Sequence, residues 1–196
     1  MVALPYHIPK IYNFFLCLWE KENNKKYRII AEMINKNKKV FELGCGTAIL
    51  ADYLDKSCSY IGWDLNDKFV NYCRAKKLNV YKKNIFDFNE YPQSDVIVIS
   101  DVLHHIVPQD KMLVREARKR TKTLIVTEPI SGLSCKNIPF ALYRLYDKIL
   151  GDNDGINDLE NRKKWGFTNQ KEVVKYLKRL GFRKIIFYNK EKFIAV

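Results

Sequence analysis

The sequence has no apolar run approaching the roughly 18 residues that a membrane-spanning helix needs, and its first residues lack the basic-then-apolar order of a secretory leader. A soluble, cytoplasmic protein is the expectation. No Cys-x-x-Cys pair occurs: the 5 cysteines (Cys17, Cys45, Cys58, Cys73, Cys135) stand singly, and an odd number cannot all pair within one chain. They read as reduced and mostly core. Histidine is scarce, with His7, His104 and His105 the only 3, so groups that titrate near neutral pH are few. The stretch Gly151-Asp-Asn-Asp-Gly-Ile-Asn-Asp158 has the look of a calcium loop, but it lacks the glutamate at the twelfth position and the acidic residues at the required odd places. No metal is expected. Acidic residues are short in number, 22 against 35 Lys and Arg, which leaves a formal net charge of +13. Such a balance favours anionic partners, nucleic acid among them. The lysines, however, are spread in pairs (Lys25-Lys26, Lys38-Lys39, Lys76-Lys77, Lys82-Lys83, Lys163-Lys164) and no block is long, so a solvated surface is the better reading.

At 196 residues and 47% hydrophobic content, the chain suits one domain with a substantial core. Its organising stretch is Lys39-Val-Phe-Glu-Leu-Gly-Cys-Gly-Thr-Ala-Ile-Leu50. Val40, Phe41 and Leu43 form a short buried strand, Gly44 and Gly46 interrupt it, and Ile49, Leu50, Tyr53 and Leu54 then repeat at helical spacing. Without a Cβ, a backbone passing through Gly44-Cys45-Gly46 can lie flat against a ligand and present N–H groups near a helix N-terminus. The dinucleotide fingerprint G-x-G-x-x-G fails here, because its third glycine falls on Ile49. A second short strand, Ser59 to Trp63, ends at Asp64, twenty residues beyond Gly44. A carboxylate at that strand tip faces the glycine turn across a β-α-β crevice, where its two oxygens can accept from both hydroxyls of a ribose. The bland alternative is that Asp64 caps the next helix, a task open equally to Asn66 or Asp67.

The order Glu42-x-Gly44-x-Gly46-x-Ala48 resembles the first motif of the class I S-adenosylmethionine-dependent methyltransferases, of the type 11/12-like kind, with Ala48 in place of the usual third glycine. The resemblance implies S-adenosylmethionine as cofactor and an α/β, Rossmann-like, doubly wound sheet of seven mostly parallel strands closed by a C-terminal antiparallel hairpin. It implies cofactor contacts from Glu42, Gly44, Cys45 and Gly46, from Asp64 and Leu65, from Asn84 and Ile85, and from Ser100 and Asp101. Where the family carries an acid for the adenine amino group this chain offers Asn84, with Asp87 as the alternative. Asp95-Val-Ile-Val-Ile99 reads as the central buried strand, and Ser100-Asp-Val-Leu-His-His-Ile106 resembles the family's fourth motif without the Asn/Asp-Pro-Pro-aromatic sequence of the nucleic-acid amino methylators. His104 and His105 are the candidate bases, a structural role for His105 being the stronger reading.

Around this core, two amphipathic helices broken near Asn23-Asn24 are expected over residues 1–37, with their aromatics mostly in the core. The cofactor-binding core spans 38–128, with strands at 78–81 and 123–127, the latter ended by Pro129. Residues 129–168 form an insertion expected to cap the acceptor site with a helix bearing Ile138, Leu142, Leu145 and Ile149. A helix from Thr168 stopped by Gly181 and a hairpin of 182–188 with 192–196 complete 169–196. The expected activity is methyl transfer to a small-molecule or lipid-like acceptor. A basic RNA- or protein-binding modifier of the same fold, or a non-catalytic cofactor-binding protein, are the other readings, and the oligomeric state is left open.

Overall fold

In a computed structural model, described here over residues 2–19, 23–130, 140–150, 153–156, 159 and 164–196, the sheet follows from two-residue periodicity. Along β1 (Lys39–Leu43), Phe41 and Leu43 join one core cluster while Val40 joins the other; along β4 (Val96–Ser100), Ile97 and Ile99 take the first side and Val96 and Val98 the second. Both faces of the sheet are therefore apolar and both need a covering layer. On the first face lie α4 (Asp110–Arg118) through Leu113, Val114 and Ala117, and α6 (Gln170–Arg179) through Val173 and Leu177. On the second lie α2 (Asn23–Ile34) through Ile30 and Ile34, and α3 (Asp67–Ala75) through Val70 and Cys73. The remaining helices are α1 (Pro9–Trp19) and α5 (Phe140–Ile149).

The sheet has seven strands in the order β3-β2-β1-β4-β5-β7-β6, with β2 (Ser59–Asp64), β3 (Val80–Lys82), β5 (Thr123–Pro129), β6 (Ile185–Phe187) and β7 (Lys192–Ala195). Pairing is parallel from β3 to β5 and antiparallel where β7 enters between β5 and β6. The chain reverses direction across the sheet at β1 and β4, so the crevice between their carboxyl ends is where an open α/β sheet binds ligands.

Several boundaries differ from the sequence reading. The expected helix after Gly46 is a single 3₁₀ turn, Ile49–Asp52. Its apolar side chains still pack inward, Leu50 fully buried, but Asp55 Oδ1 accepts from the Ser57 amide and hydroxyl at 3.0 and 2.7 Å, and that local turn replaces further helical bonding. The glycine loop accordingly has no helix dipole behind it. Pro129 does not end the sheet: pairing with β4 stops at Thr127, but β7 continues alongside as far as Pro129, opposite Lys192. The third strand begins two residues later than expected, at Val80, and α2 begins at Asn23. Asn66 caps α3 by accepting from Lys68 N at 2.9 Å. Asp64 is thereby released from the capping role.

The expected cap helix begins at Phe140; Ile138 and much of the calcium-like stretch lie outside the described residues. Leu142 and Leu145 of α5 are exposed, whereas Trp165, at the end of the insertion, is core. Its indole donates to Pro129 O at 2.8 Å and its ring packs edge-on against Phe167 and Tyr176. Trp165→Ala should cost about 3 to 5 kcal/mol of stability by urea unfolding, the range for emptying a buried aromatic site. A loss under about 1 kcal/mol would mean that the insertion's return segment does not dock on the sheet.

Candidate active site

The turn after β1 is held open by backbone geometry. Gly44 and Gly46 sit at φ +66° and +54°, in the left-handed region that side chains disfavour. A Cβ on Gly44 would stand 2.6 Å from Val102 Cγ2, so this glycine lets the turn after β1 pack under the turn after β4. At Gly46 the space is nearly free, the ring of Tyr12 standing 3.8 Å from a built Cβ. Cys45 is buried between them and its N–H reaches Trp63 O at 3.0 Å; burial pushes its thiol up, so it is a neutral packing residue.

Asp64, at the tip of β2, ties this loop to its own strand. Oδ2 accepts from Gly46 N and Oδ1 from Asn66 N, each at 2.8 Å. Desolvation raises its pKa, against the pull of those two amides and of the Leu65 amide, and the nearby Asp154 carboxylate raises it further. Each oxygen keeps acceptor capacity beyond its one amide. Leu65 next to it is 41% exposed, an apolar surface beside the carboxylate.

Two more carboxylates approach from the neighbouring strand ends. Glu42 is buried, takes the Tyr60 hydroxyl proton in a hydrogen bond, and is pushed by desolvation up to about 7. Asp101 has φ +54° and donates its N–H to Thr127 O at 2.9 Å. Burial opposes its ionisation, but Lys26 and Lys192 outweigh that and hold it at about 2. Lys26, from α2, is 1% exposed, donates to Asp101 Oδ2 and lies 4.7 Å from the Tyr27 ring centroid. Glu42 feels the charges of Lys26, Asp64 and Asp101 together, so these groups form one cluster.

The turn after β4 hangs on one further carboxylate. Glu128, fully buried at the end of β5, accepts from Val102 N and Leu103 N at 2.6 Å each through Oε1, and Oε2 stands 2.7 Å from His104 Nδ1. His104 is therefore held within the scaffold of the turn. His105 faces elsewhere: its Nδ1 is 3.0 Å from Asp154 Oδ2. Ser100 Oγ reaches Asp101 Oδ2 at 3.4 Å.

The residues after β3 are less gathered. Asn84 is exposed and its side-chain oxygen accepts from Phe86 N at 3.0 Å, closing a local turn; Asp87 is also exposed and donates its N–H to Asn84 O. Ile85 is buried in the core, and its carbonyl accepts from the Tyr91 hydroxyl.

Lys26, Glu128 and Asp154 were not picked out by the sequence reading, which gave the aromatics of the N-terminal arm mostly to the core. Lys26 alone left a trace, since it shares a helical face with Ile30 and Ile34, where a lysine has no reason to be unless paired. The arm covers the glycine loop: Thr47 Oγ1 donates to Asn13 Oδ1 at 2.6 Å, Asn66 Nδ2 donates to Tyr6 O at 2.8 Å, and Ala3 N donates to Asn153 O at 2.9 Å.

The family model "Methionine biosynthesis protein MetW" matches residues 24–137, from α2 past the end of β5. The chain belongs to the MetW family. No curated protein matches it. Among solved structures, this MetW-family chain is similar to a SAM-dependent methyltransferase from Archaeoglobus fulgidus, with TM-score 0.61 and 20% identity over 91% of this chain and 78% of that one. It is also similar to the CurJ carbon methyltransferase, with TM-score 0.59 and 18% identity over 86% of this chain but only 53% of that chain, about half its length. Human N-acetylserotonin methyltransferase, solved in complex with SAM, gives TM-score 0.57 and 16% identity over 97% of this chain and 56% of that one. At such identities the likeness is one of fold, that of the class I methyltransferases.

Glu42 gives this site a pH signature. Its folded pKa of about 7 lies above the ordinary 4.5, so its contribution to stability is whole below pH 4.5 and is lost as pH rises through 7. The loss is about 3 kcal/mol. Glu42→Gln should remove that slope, so urea unfolding at pH 5 and pH 8 should differ by about 3 kcal/mol less in the variant than in the wild type. Equal pH dependence in both proteins would show that Glu42 is not the buried titrating group.

Proposed function

We propose that the protein is an S-adenosylmethionine-dependent methyltransferase acting on a small-molecule or lipid-like acceptor. The observation that carries this reading is the Asp64 bracket: a carboxylate with one amide on each oxygen, facing a positive-φ glycine loop, beside exposed Leu65. That set fits a nucleoside. Asp64 would take the two ribose hydroxyls, Leu65 and Ile85 would offer apolar contact to the base, and Asn84 or Asp87 would meet its amino edge. Gly44, Cys45 and Gly46 would allow close backbone approach, with Glu42, Ser100 and Asp101 around the amino-acid portion. The cofactor supplies an activated methyl group on a positively charged sulfur. Three carboxylates at the strand ends, Glu42, Asp64 and Asp101, suit a cationic ligand, in contrast with the basic surface.

With the electrophile already activated, the chain's task is to hold the nucleophile about 3 Å from the methyl carbon, in line, and to keep water out. The N-terminal arm and the insertion are the segments that would exclude water, the insertion also selecting the acceptor. His105, and less readily His104, are the candidate bases.

Asp64→Ala should weaken S-adenosylmethionine binding by about 2 to 4 kcal/mol, the scale of charge-assisted hydrogen bonds left unmade. Isothermal calorimetry with the melting temperature measured alongside separates lost contacts from a collapsed loop. Unchanged affinity would remove the central claim.

A further inference from the structure

We propose that the outer face of α5, with the adjoining N-terminal arm, docks on an anionic lipid bilayer. This goes beyond the methyltransferase reading and does not depend on it. α5 is inverted for a helix on a protein surface. Leu142, Leu145 and Ile149, three and four positions apart, form one stripe and are 59%, 57% and 49% exposed. Asp147 stands two positions from both Leu145 and Ile149, about 200° round the helix, and it is buried. A surface helix ordinarily buries its apolar stripe and exposes its acids. Here the stripe adds nothing to the core of the domain, and contact with a second apolar phase is what it fits.

The arm extends the same surface. Ala3 N donates to Asn153 O at 2.9 Å, and Val2 Cγ2 would stand 2.7 Å from a Cβ on Gly155. α5 ends shortly before Asn153 and α1 begins shortly after Ala3, so the two helices meet at one junction. Leu4, Ile8 and Ile156 around it are exposed. α1 carries Ile11, Tyr12, Phe14, Phe15 and Leu16 on most of its sides, yet none of residues 9–16 is buried and Phe14 is 61% exposed. A helix apolar nearly all round belongs in a core or beside lipid.

Charge decides among the occupants. Over residues 2–19, 140–150 and 153–156, every exposed charged side chain is cationic: Lys10, Arg144 and Lys148. Both acids of these segments turn inward, Asp147 being buried and Asp154 having 11% of its side chain exposed, 3.0 Å from His105. Arg144 and Lys148, one turn apart, flank the stripe. Leucines beside long basic side chains suit an anionic interface: the apolar groups enter the acyl boundary while the guanidinium and ammonium stay with the phosphates. A second copy of the chain fits less well, since a two-fold contact through the stripe brings the same cations together. Nucleic acid would take the charges and leave the stripe in water. The junction also borders the ligand crevice, Asp154 being near enough to Asp64 to raise its pKa, so docking brings the crevice close to the bilayer.

Co-sedimentation of the full chain with vesicles, in about 0.1 M salt and without cofactor, tests the surface. Vesicles of phosphatidylglycerol and phosphatidylcholine in equal parts should bind the protein, and phosphatidylcholine alone should bind it about tenfold less or weaker still. Leu142→Asp and Leu145→Asp should each lower partitioning to the mixed vesicles by about tenfold, with the melting temperature kept because both side chains are exposed. Arg144→Gln with Lys148→Gln should lower it by a similar factor. Lys171→Gln with Lys175→Gln, which removes the same charge from exposed positions of α6, should change it less than about twofold. No binding to the mixed vesicles overturns the proposal. Equal losses from the α5 and α6 charge variants overturn it too, because net charge alone would then be the attraction. Sedimentation velocity without lipid gives the remaining outcome: a dimer that Leu145→Asp dissociates overturns docking in favour of contact between copies. None of these measurements needs methyl transfer, so docking can fail while calorimetry still finds cofactor binding, and the methyltransferase reading can fail while docking holds.

Discussion

The carboxylate of Glu128 fixes the site more than any group that faces a ligand. By accepting from Val102 N and Leu103 N, it satisfies two amides that would otherwise be buried and unpaired where the chain leaves β4. The turn it holds puts Val102 over Gly44, close enough that no side chain fits beneath, and so presses the loop after β1 into its left-handed path. Gly46 then offers its N–H to Asp64. The four strand ends are thus coupled in series, β5 to β4, β4 to β1, and β1 to β2. A displacement of Glu128 would reach the Asp64 carboxylate without touching it.

Charge is distributed in two opposed layers. The net charge of +13 comes from lysines and arginines that, among the described residues, are almost all at least partly exposed, while the carboxyl ends of β1, β2 and β4 bring Glu42, Asp64 and Asp101 together inside. Lys26 is the one buried lysine among the described residues, and it goes to Asp101. That pairing explains why neighbouring carboxyls diverge. Asp101 is held ionised by direct contact with a cation, whereas Glu42, given only a hydroxyl donor and a more remote share of Lys26, rises to about 7. A cationic ligand entering beside them would stabilise the ionised form of Glu42, so ligand binding and Glu42 protonation oppose each other.

What was legible in the sequence is what local chemistry dictates. The β1 strand, its glycines, the carboxylate ending β2, the apolar run of β4 and the Gly181 stop are each specified within a few residues, and they stand where periodicity and turn chemistry put them. The 3₁₀ turn after Gly46 was misread because Ile49, Leu50, Tyr53 and Leu54 span six positions, too few to tell one tight turn from a helix. Pro129 was misread because the rule against proline concerns a strand paired on both sides, and this end of β5 has only β7 beside it. Glu128 and Asp154 were invisible for another reason, and Lys26 showed only as a lysine on an apolar helical face. Each acts through a partner far along the chain, and no local pattern announces a through-space pair.

The same logic bears on how the site opens. The N-terminal arm is tied to the core by Asn13 to Thr47, Tyr6 to Asn66 and Ala3 to Asn153, and by the rings of Tyr6 and Tyr12 against Phe69. Net contributions of about 1 kcal/mol for each hydrogen bond and for each aromatic pair place this attachment at a few kcal/mol, well below the sheet with its two apolar faces. Segments held at that level open locally without global unfolding. Tyr12 stands over Gly46 and Ala3 is bonded to Asn153, so lifting the arm would uncover the loop after β1 and release the Asn153 backbone in one movement. Closing it would restore both, so cover over the glycine loop and anchorage of the insertion rise and fall together.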